Sequence, residues 1–465
     1  MHLYKKIKNG IDYFYLRETK RVDGKVVCSF QQYIGTKDKL NQVILNGLTS
    51  VEKILTPQHS EVLNYGAVAA FLGIFKKIGV IEAIDHICTK RDQDLPVSSY
   101  LLSAAINRAI DSKSKNALSG WMKSTSLPHL LPDFNTQKFS SQNFWNHMHR
   151  MNASMLHQIE ERIAKKVMEI YKLNLDTLLF DGTNYYSYIH SFNSSNTIEK
   201  RGHNKQKRVD LRQCNFSLLV TKDEHIPLYH RVYDGNTNDP IAFRETVFDL
   251  KNRVNKIGGK DLKTITIVFD SGNVCDQNIR LLDQNALQFV SKLRPSNHPE
   301  LLDIELSKYQ VLKEMDGIKF HQTSKQIYGS NRLVVMKFSK QHYDAEYVTL
   351  MNHIQETRKK LIELKSRLQS YQSKNQIPAN VTETTVSNNI QRILKARTYL
   401  KKLFEIKIEM EGKFPLIKWE LPDSKLEDYC KKYLGKTLYF SSSMELTPLE
   451  VIQTYNFQSK IEQLF

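Results

Sequence analysis

"TITIVFDSGN" (Thr264–Asn273) decides how this chain is read: a short run of β-prone apolar residues that ends in Phe269, Asp270, two small residues and an asparagine. "TLLFDGTN" (Thr177–Asn184) has the same syntax and brings Asp181 to the matching place. An acidic residue at the end of a buried strand stands at the sheet rim, where ligands collect in open α/β sheets. The competing explanation is that each aspartate caps its own turn. That suits one such segment better than two.

Working outward, "LDTLLFD", "QCNFSLLV" and "IPLYHRVYDG" read as three strands, the last two a hairpin across "TKDEH". "IAFRETVFDLKNRVNKIG" places Phe243, Val247, Leu250 and Val254 on one helical face. "TITIVFD", a helix over "DQNIRLLDQNA" and the strand "LQFVSKL" follow. The order is β-β-β-α-β-α-β, a mixed sheet whose later strands are parallel and joined by helices.

The chain has 465 residues, 40% of them hydrophobic, enough for two to four domains. Its 67 Lys and Arg against 49 Asp and Glu leave a net charge of +18, and its pI is near 9.4. Such an excess points to a polyanionic partner, of which nucleic acid is the commonest. A basic surface kept for solubility is the plainer alternative. The longest apolar run, "GAVAAFLGIF" (Gly66–Phe75), is about half of a membrane span. The N-terminus "MHLYKKIKNG" carries no apolar signal region. The five scattered cysteines form no C-x-x-C pair and suggest reduced thiols in a cytosol. The two histidines of "NHMHR" (Asn146–Arg150) face apart on a helix and read as surface residues.

Residues 1–55 read as a small β unit, with a tight turn at Asp23-Gly24 and Lys20, Arg21 and Lys25 around its tip. Residues 56–175 carry helical periodicity and suit a DNA-binding module. The mixed sheet follows over 176–294. Residues 295–445 interrupt it, with a helical hairpin in the middle and "KTLYFSSS" as a strand at the end. In the hairpin Leu350, Ile354, Leu361, Leu364, Leu368 and Tyr371 face Val386, Ile390, Ile393, Leu400 and Phe404. Residues 446–465 begin a helix on which Tyr455, Gln458 and Glu462 share one face, at i, i+3 and i+7.

Two rim aspartates suit Mg²⁺, which takes a few carboxylates and keeps water and substrate phosphates as its other ligands. Two such ions about 3.5–4 Å apart activate the attacking oxygen and stabilise the leaving one in phosphodiester chemistry. Two aspartates are a thin shell for two ions, so a third carboxylate is expected, and Glu462 is the candidate.

At these residues the chain resembles bacterial insertion-sequence transposases of the DDE class, in the group with a Tyr–Arg–Glu–Lys signature around the last acid. The resemblance runs over essentially the whole chain, from "RVDGKVV" and "YIGTKDKL" onward. It is most specific at "LFDGTNYYSYI", "RGHNKQKRVDLRQ", "YDGNTND" and "VFDSGN". It implies an α+β multidomain protein with an RNase H-like mixed-sheet core, a large insertion before the last acid, and a small β-hairpin unit and a helical domain in front. It implies that Asp181, Asp270 and Glu462 are catalytic and hold two Mg²⁺ or Mn²⁺ ions. Tyr455 and Gln458 would contact DNA phosphates near the scissile bond, joined by Arg201, His203, Lys205, Lys207 and Arg208 of the basic loop. Asn184, Asn236 and Asp239 would order loops beside the acids, the last two serving equally as turn formers. Gln458 stands where the signature has arginine, and the signature's lysine falls beyond residue 465, so the resemblance implies a catalytic helix cut short. The implied activity is cutting of element ends and their joining to target DNA, by a homodimer on double-stranded DNA in a bacterial, nucleoid-associated, cytoplasmic setting, with no membrane partner. A truncated transposase acting as a DNA-binding repressor is the alternative, and a structure-specific nuclease on the same fold a third.

Overall fold

The computed structural model describes residues 1–55, 61–92, 94–131, 134–190, 192–202, 204, 208–257, 264–395 and 397–465. The chain divides into two compact units, Met1–Ile74 with Lys90–His149, and Phe75–Thr89 with Arg150–Phe465.

The first unit opens with a three-stranded antiparallel sheet, β1 (His2–Lys8), β2 (Ile11–Val22) and β3 (Lys25–Thr36). Asp23 and Gly24 both take positive φ, 50° and 77°, the backbone that a tight hairpin turn requires. The β reading of residues 1–55 stops short at Thr36: Lys37–Leu55 is a helix. Further helices follow at Val97–Ile110, Lys115–Lys123 and Ser141–Met148. The expected surface position of the "NHMHR" pair is corrected here for one member. His147 is buried, its Nε2 3.2 Å from Asp94 Oδ2, while the Tyr100 hydroxyl donates to Asp94 Oδ1 at 2.6 Å. Facing apart on a helix sends one side chain inward, and an acceptor was waiting there.

The second unit is built on a nine-stranded sheet. β4 (Thr177–Ser187), β5 (Arg212–Thr221) and β6 (Pro227–Asp234) pair antiparallel. β7 (Thr266–Phe269) and β8 (Gln288–Lys292) continue from β4 in parallel. Their crossovers are the helices Asp239–Ile257 and Asp276–Gln284. The spatial order β6-β5-β4-β7-β8 is the mixed sheet that the strand and helix order predicts, three antiparallel strands followed by two parallel to β4.

The stretch 295–445 adds to this sheet as well as interrupting it. β9 (Gln310–Val311), β10 (Ile318–Ile327) and β11 (Ser330–Ser339) form its far edge. The helices Lys340–Ser373 and Glu383–Lys395 form the expected hairpin, with Leu350, Ile354, Leu361, Leu364, Leu368, Val386 and Ile390 in a core of their own. A two-stranded ribbon of β12 (Glu405–Glu411) and β13 (Phe414–Glu420) lies beside them. β14 (Lys436–Ser441) then returns between β8 and β11 and gives β8 a partner along an otherwise open edge.

Alternation along the strands sorts the core into two faces. Leu178, Phe180, Ile267, Phe269 and Phe289 pack on one side, with Phe243, Val247 and Leu250 of the first crossover helix. Leu179, Val268, Val290 and Tyr439 pack on the other, under Val451, Ile452, Tyr455 and Ile461 of the C-terminal segment. Both faces of β7 are covered, which is why "IVF" (Ile267–Phe269) is apolar at successive positions instead of alternating.

Candidate active site

The register of three neighbouring strands builds the site. Leu179 pairs with Val268 in the parallel β4–β7 ladder, and Val268 pairs with Val290 in β7–β8. Two residues further along each strand stand Asp181, Asp270 and Lys292. Step two keeps the face, so all three project where Leu179, Val268 and Val290 do, onto the side covered by the C-terminal segment. Asp270 directly follows β7 and makes no side-chain cap, so the turn-former explanation fails for it. Asp181 is not at a strand end as expected. β4 continues to Ser187 because its antiparallel pairing with β5 persists, up to Ser187–Arg212, after its parallel partner has stopped.

The C-terminal helix is broken where one helix was expected. Pro448–Asn456 is followed by Gln458–Ile461 and a 3₁₀ turn at Glu462–Leu464. Its start is fixed by a capping box between Thr447 and Glu450. Tyr455, Gln458 and Glu462 nevertheless share a side and line one cavity of about 230 Å³ with Asp181, Asp270, Tyr233 and Lys292. The Tyr455 hydroxyl donates to Asp270 Oδ1 at 2.9 Å. Burial first, then the charge of Asp270, pushes that phenol far above its ordinary pKa, so it remains a donor. Gln458 Nε2 donates to the Phe180 carbonyl at 2.6 Å, which pins the helix to the strand that carries Asp181. Its Oε1 is buried with no hydrogen-bond partner. The roles visible for Tyr455 and Gln458 are therefore to hold the acid-bearing strands, a function that the phosphate-contact expectation did not include.

Sequence reasoning missed Lys292. Its ammonium lies 4.5 Å from the centre of the Tyr455 ring. Burial depresses its pKa, and the charges of Asp270 and Glu462 oppose that fall. The signal was present in "LQFVSKL": the lysine falls opposite Asp270 once "TIVF" and "QFVS" are aligned as parallel neighbours. Lys337 of β11, also buried, stands near enough to Lys292 to lower its own pKa further.

The donor set is all oxygen, the type that Mg²⁺ and Mn²⁺ take. Among the described residues no three His, Cys, Asp or Glu side chains converge closely enough to enclose an ion. Glu462 is exposed on the terminal turn, Asp270 is exposed just past β7, and Asp181 is partly buried within β4. The three acids thus share the donor chemistry and one cavity without meeting at a single point.

A second cavity, of about 540 Å³, adjoins this one through Gly182 and Asp239. Arg201, Asn184, Asn236 and Asp239 line it. Amides organise its floor. Asn184 Nδ2 donates to Asn215 Oδ1 at 2.6 Å, and the fully buried Gln213 donates to the Gly235 carbonyl at 2.8 Å. A Cβ on Gly235 would fall 1.8 Å from the Gln213 carbonyl oxygen, so only glycine permits this backbone approach. Asn204 holds the basic loop by donating to Gln213 Oε1 at 3.0 Å and accepting from the Arg208 amide at 2.8 Å. Arg208 itself is exposed and grips Asp210 through two hydrogen bonds of 2.8 and 2.7 Å. His203, Lys205 and Lys207 lie outside the described residues.

No protein-family model matches the chain, and no curated protein matches it. Among solved structures, similarity is found to a piggyBac transposase synaptic complex with hairpin DNA, at 13% identity and a TM-score of 0.28, covering 60% of this chain and 59% of that one. It is also found to the Mos1 transposase paired-end complex with left transposon end, at 8% identity and a TM-score of 0.18, covering 46% of this chain and 63% of that one. The Mos1 mariner paired-end complex with Mn matches at 10% identity and 0.18, covering 48% and 65%. This chain thus spans about three fifths of the length of each. At these scores the likenesses carry no argument about function.

Proposed function

We propose that this chain is a DDE-type DNA transposase that cuts element ends and joins them to target DNA. The observation that carries the reading is that Asp181, Asp270 and Glu462, separated by up to 281 residues (462 − 181), line one cavity, the first from within β4, the second just past the end of β7 and the third from the terminal turn. The +18 charge supports a polyphosphate substrate.

Asp181, Asp270 and Glu462 would hold two divalent ions, which when bound supply Lewis-acid activation of the attacking and leaving oxygens. Tyr455 fixes one oxygen of Asp270, which lines the cavity. Gln458 holds the terminal segment against β4, so that Glu462 is presented at the rim. Lys292 offers a half-buried positive charge to the incoming phosphate, where low polarity strengthens its attraction. Arg201 lines the adjoining cavity and extends that attraction along the DNA backbone. Double-stranded DNA bearing the terminal inverted repeats is the substrate in this reading, and a homodimer the working form.

The test is cleavage of such DNA with Mg²⁺, comparing wild type with Asp181→Asn and Asp270→Asn. Loss of roughly a thousandfold or more in rate is expected for each variant. Equal cleavage by all three proteins sinks the catalytic assignment. Tight end binding with no cleavage by any of them favours the DNA-binding repressor.

A further inference from the structure

The N-terminal three-stranded sheet has a chemical asymmetry that the proposed cleavage does not use. The β1–β2 register sets His2, Tyr4, Lys6 and Lys8 beside Arg17, Tyr15, Tyr13 and Ile11 on one face. The β2–β3 register adds Tyr33 opposite Tyr15 and places Arg21 opposite Val26 on the same face. The rings touch in a continuous strip: Tyr4 to Tyr15 at 6.4 Å, Tyr15 to Tyr33 at 5.2 Å and Tyr13 to Tyr33 at 6.1 Å between centroids. The Arg17 guanidinium lies 4.5 Å above the Tyr4 ring. Both strand carboxylates, Asp12 and Glu18, stand opposite Ile7 and Phe30 on the other face, where Asp12 pairs with Lys5 at 3.1 Å. The tyrosine face therefore carries lysine and arginine and, among the described residues of its strands, no acid.

Nor does the sheet bury this face in a core. Of the residues in β1, β2 and β3 only Gly35 is buried, and Tyr33 is 51% exposed. Lys6, Lys8 and Arg21, around the strip, are exposed too.

We propose that this face binds unpaired, single-stranded nucleic acid, with Tyr4, Tyr13, Tyr15 and Tyr33 as a stacking strip and Lys6, Lys8, Arg17 and Arg21 as contacts to its phosphates. A row of rings, Tyr33 exposed and Tyr4, Tyr13 and Tyr15 partly so, flanked by cations, matches a strand whose bases have free π-faces. A duplex keeps those faces stacked inside and would meet only the cations. Segregation of both strand carboxylates to the far face removes the repulsion that a phosphate chain would otherwise meet. The site lies apart from Asp181 and Asp270 in sequence and function, so it stands or falls independently of the catalytic reading.

The test measures fluorescence anisotropy of a labelled oligothymidylate, and of a duplex of equal length lacking element ends, with the full chain in the absence of divalent metal. Tyr4→Leu/Tyr33→Leu is expected to weaken the single strand by about tenfold or more and the duplex by less than about twofold. Tyr33→Phe, which keeps the ring, is expected to leave both within about twofold, and matching circular dichroism spectra exclude misfolding as the cause. Unchanged single-strand affinity in the double variant overturns the proposal. So does an equal loss on the duplex, which would make the face a duplex interface instead.

Discussion

At the mouth of the nine-stranded sheet, Lys292 is half-buried beside Asp270 and Glu462 under a ring of Tyr455, with covered strands on each side. On the three-stranded sheet, Lys6, Lys8 and Arg21 stand in solvent beside a strip of tyrosines that is partly exposed and belongs to no buried core. Both regions are β-sheet with cations and aromatic rings, yet their environments assign them different work. Burial gives charges strong, fixed interactions and suits them to chemistry. Exposure leaves charges screened beyond about 10 Å at ordinary salt and suits them to reversible docking.

Stability should break along the same line. Phe269, fully buried between the crossover helix and the sheet, is expected to cost about 3–5 kcal/mol when changed to alanine. Tyr33→Ala, at an exposed position, is expected to change stability by about 0.5 kcal/mol. Urea unfolding followed by circular dichroism measures both, and similar costs would erase the contrast. An effect smaller than that of Phe269→Ala is expected for Tyr455→Phe, which removes one hydrogen bond to a carboxylate and leaves the ring in place. Such bonds are worth about 1.5–3 kcal/mol, so cleavage is expected to fall roughly tenfold or more. The check is the cleavage rate of the variant in Mg²⁺, with full activity contradicting the positioning role.

The smallest effect concerns pH. Burial pulls the Asp94 carboxyl upward, but hydrogen bonds from Tyr100, the Leu95 amide and His147 outweigh it and leave its pKa below the ordinary 3.8. A depressed acid contributes stability that is present above its unfolded pKa and lost as pH falls through the folded one. Thermal melts of wild type and Asp94→Asn should therefore converge below about pH 4. Parallel pH profiles would contradict the assignment.

Much of this was legible because period reports burial. The runs before Asp181 and Asp270, the hairpin of Leu350 to Phe404 and the face of Phe243, Val247 and Leu250 all sit as their spacing requires. What escaped depends on pairing between distant segments. Lys292 gains meaning only when β8 lies beside β7, and β14 joins the sheet only because β8 and β11 leave a slot for it. His147 looked superficial because its partner, Asp94, lies 53 residues away. The break at Phe457 has no sequence marker of its own: the residue is neither Gly nor Pro, and it keeps helical φ and ψ of −62° and −20°.

The central claim is that Asp181, Asp270 and Glu462 form one divalent-metal site next to a competing ammonium. Calorimetric titration of Mn²⁺ into the DNA-free protein tests it most directly. Asp181→Asn and Asp270→Asn are each expected to weaken binding about tenfold or more, whereas Lys292→Met, by removing a positive charge beside two carboxylates, is expected to strengthen it. Binding that is the same in wild type and all three variants would contradict the account.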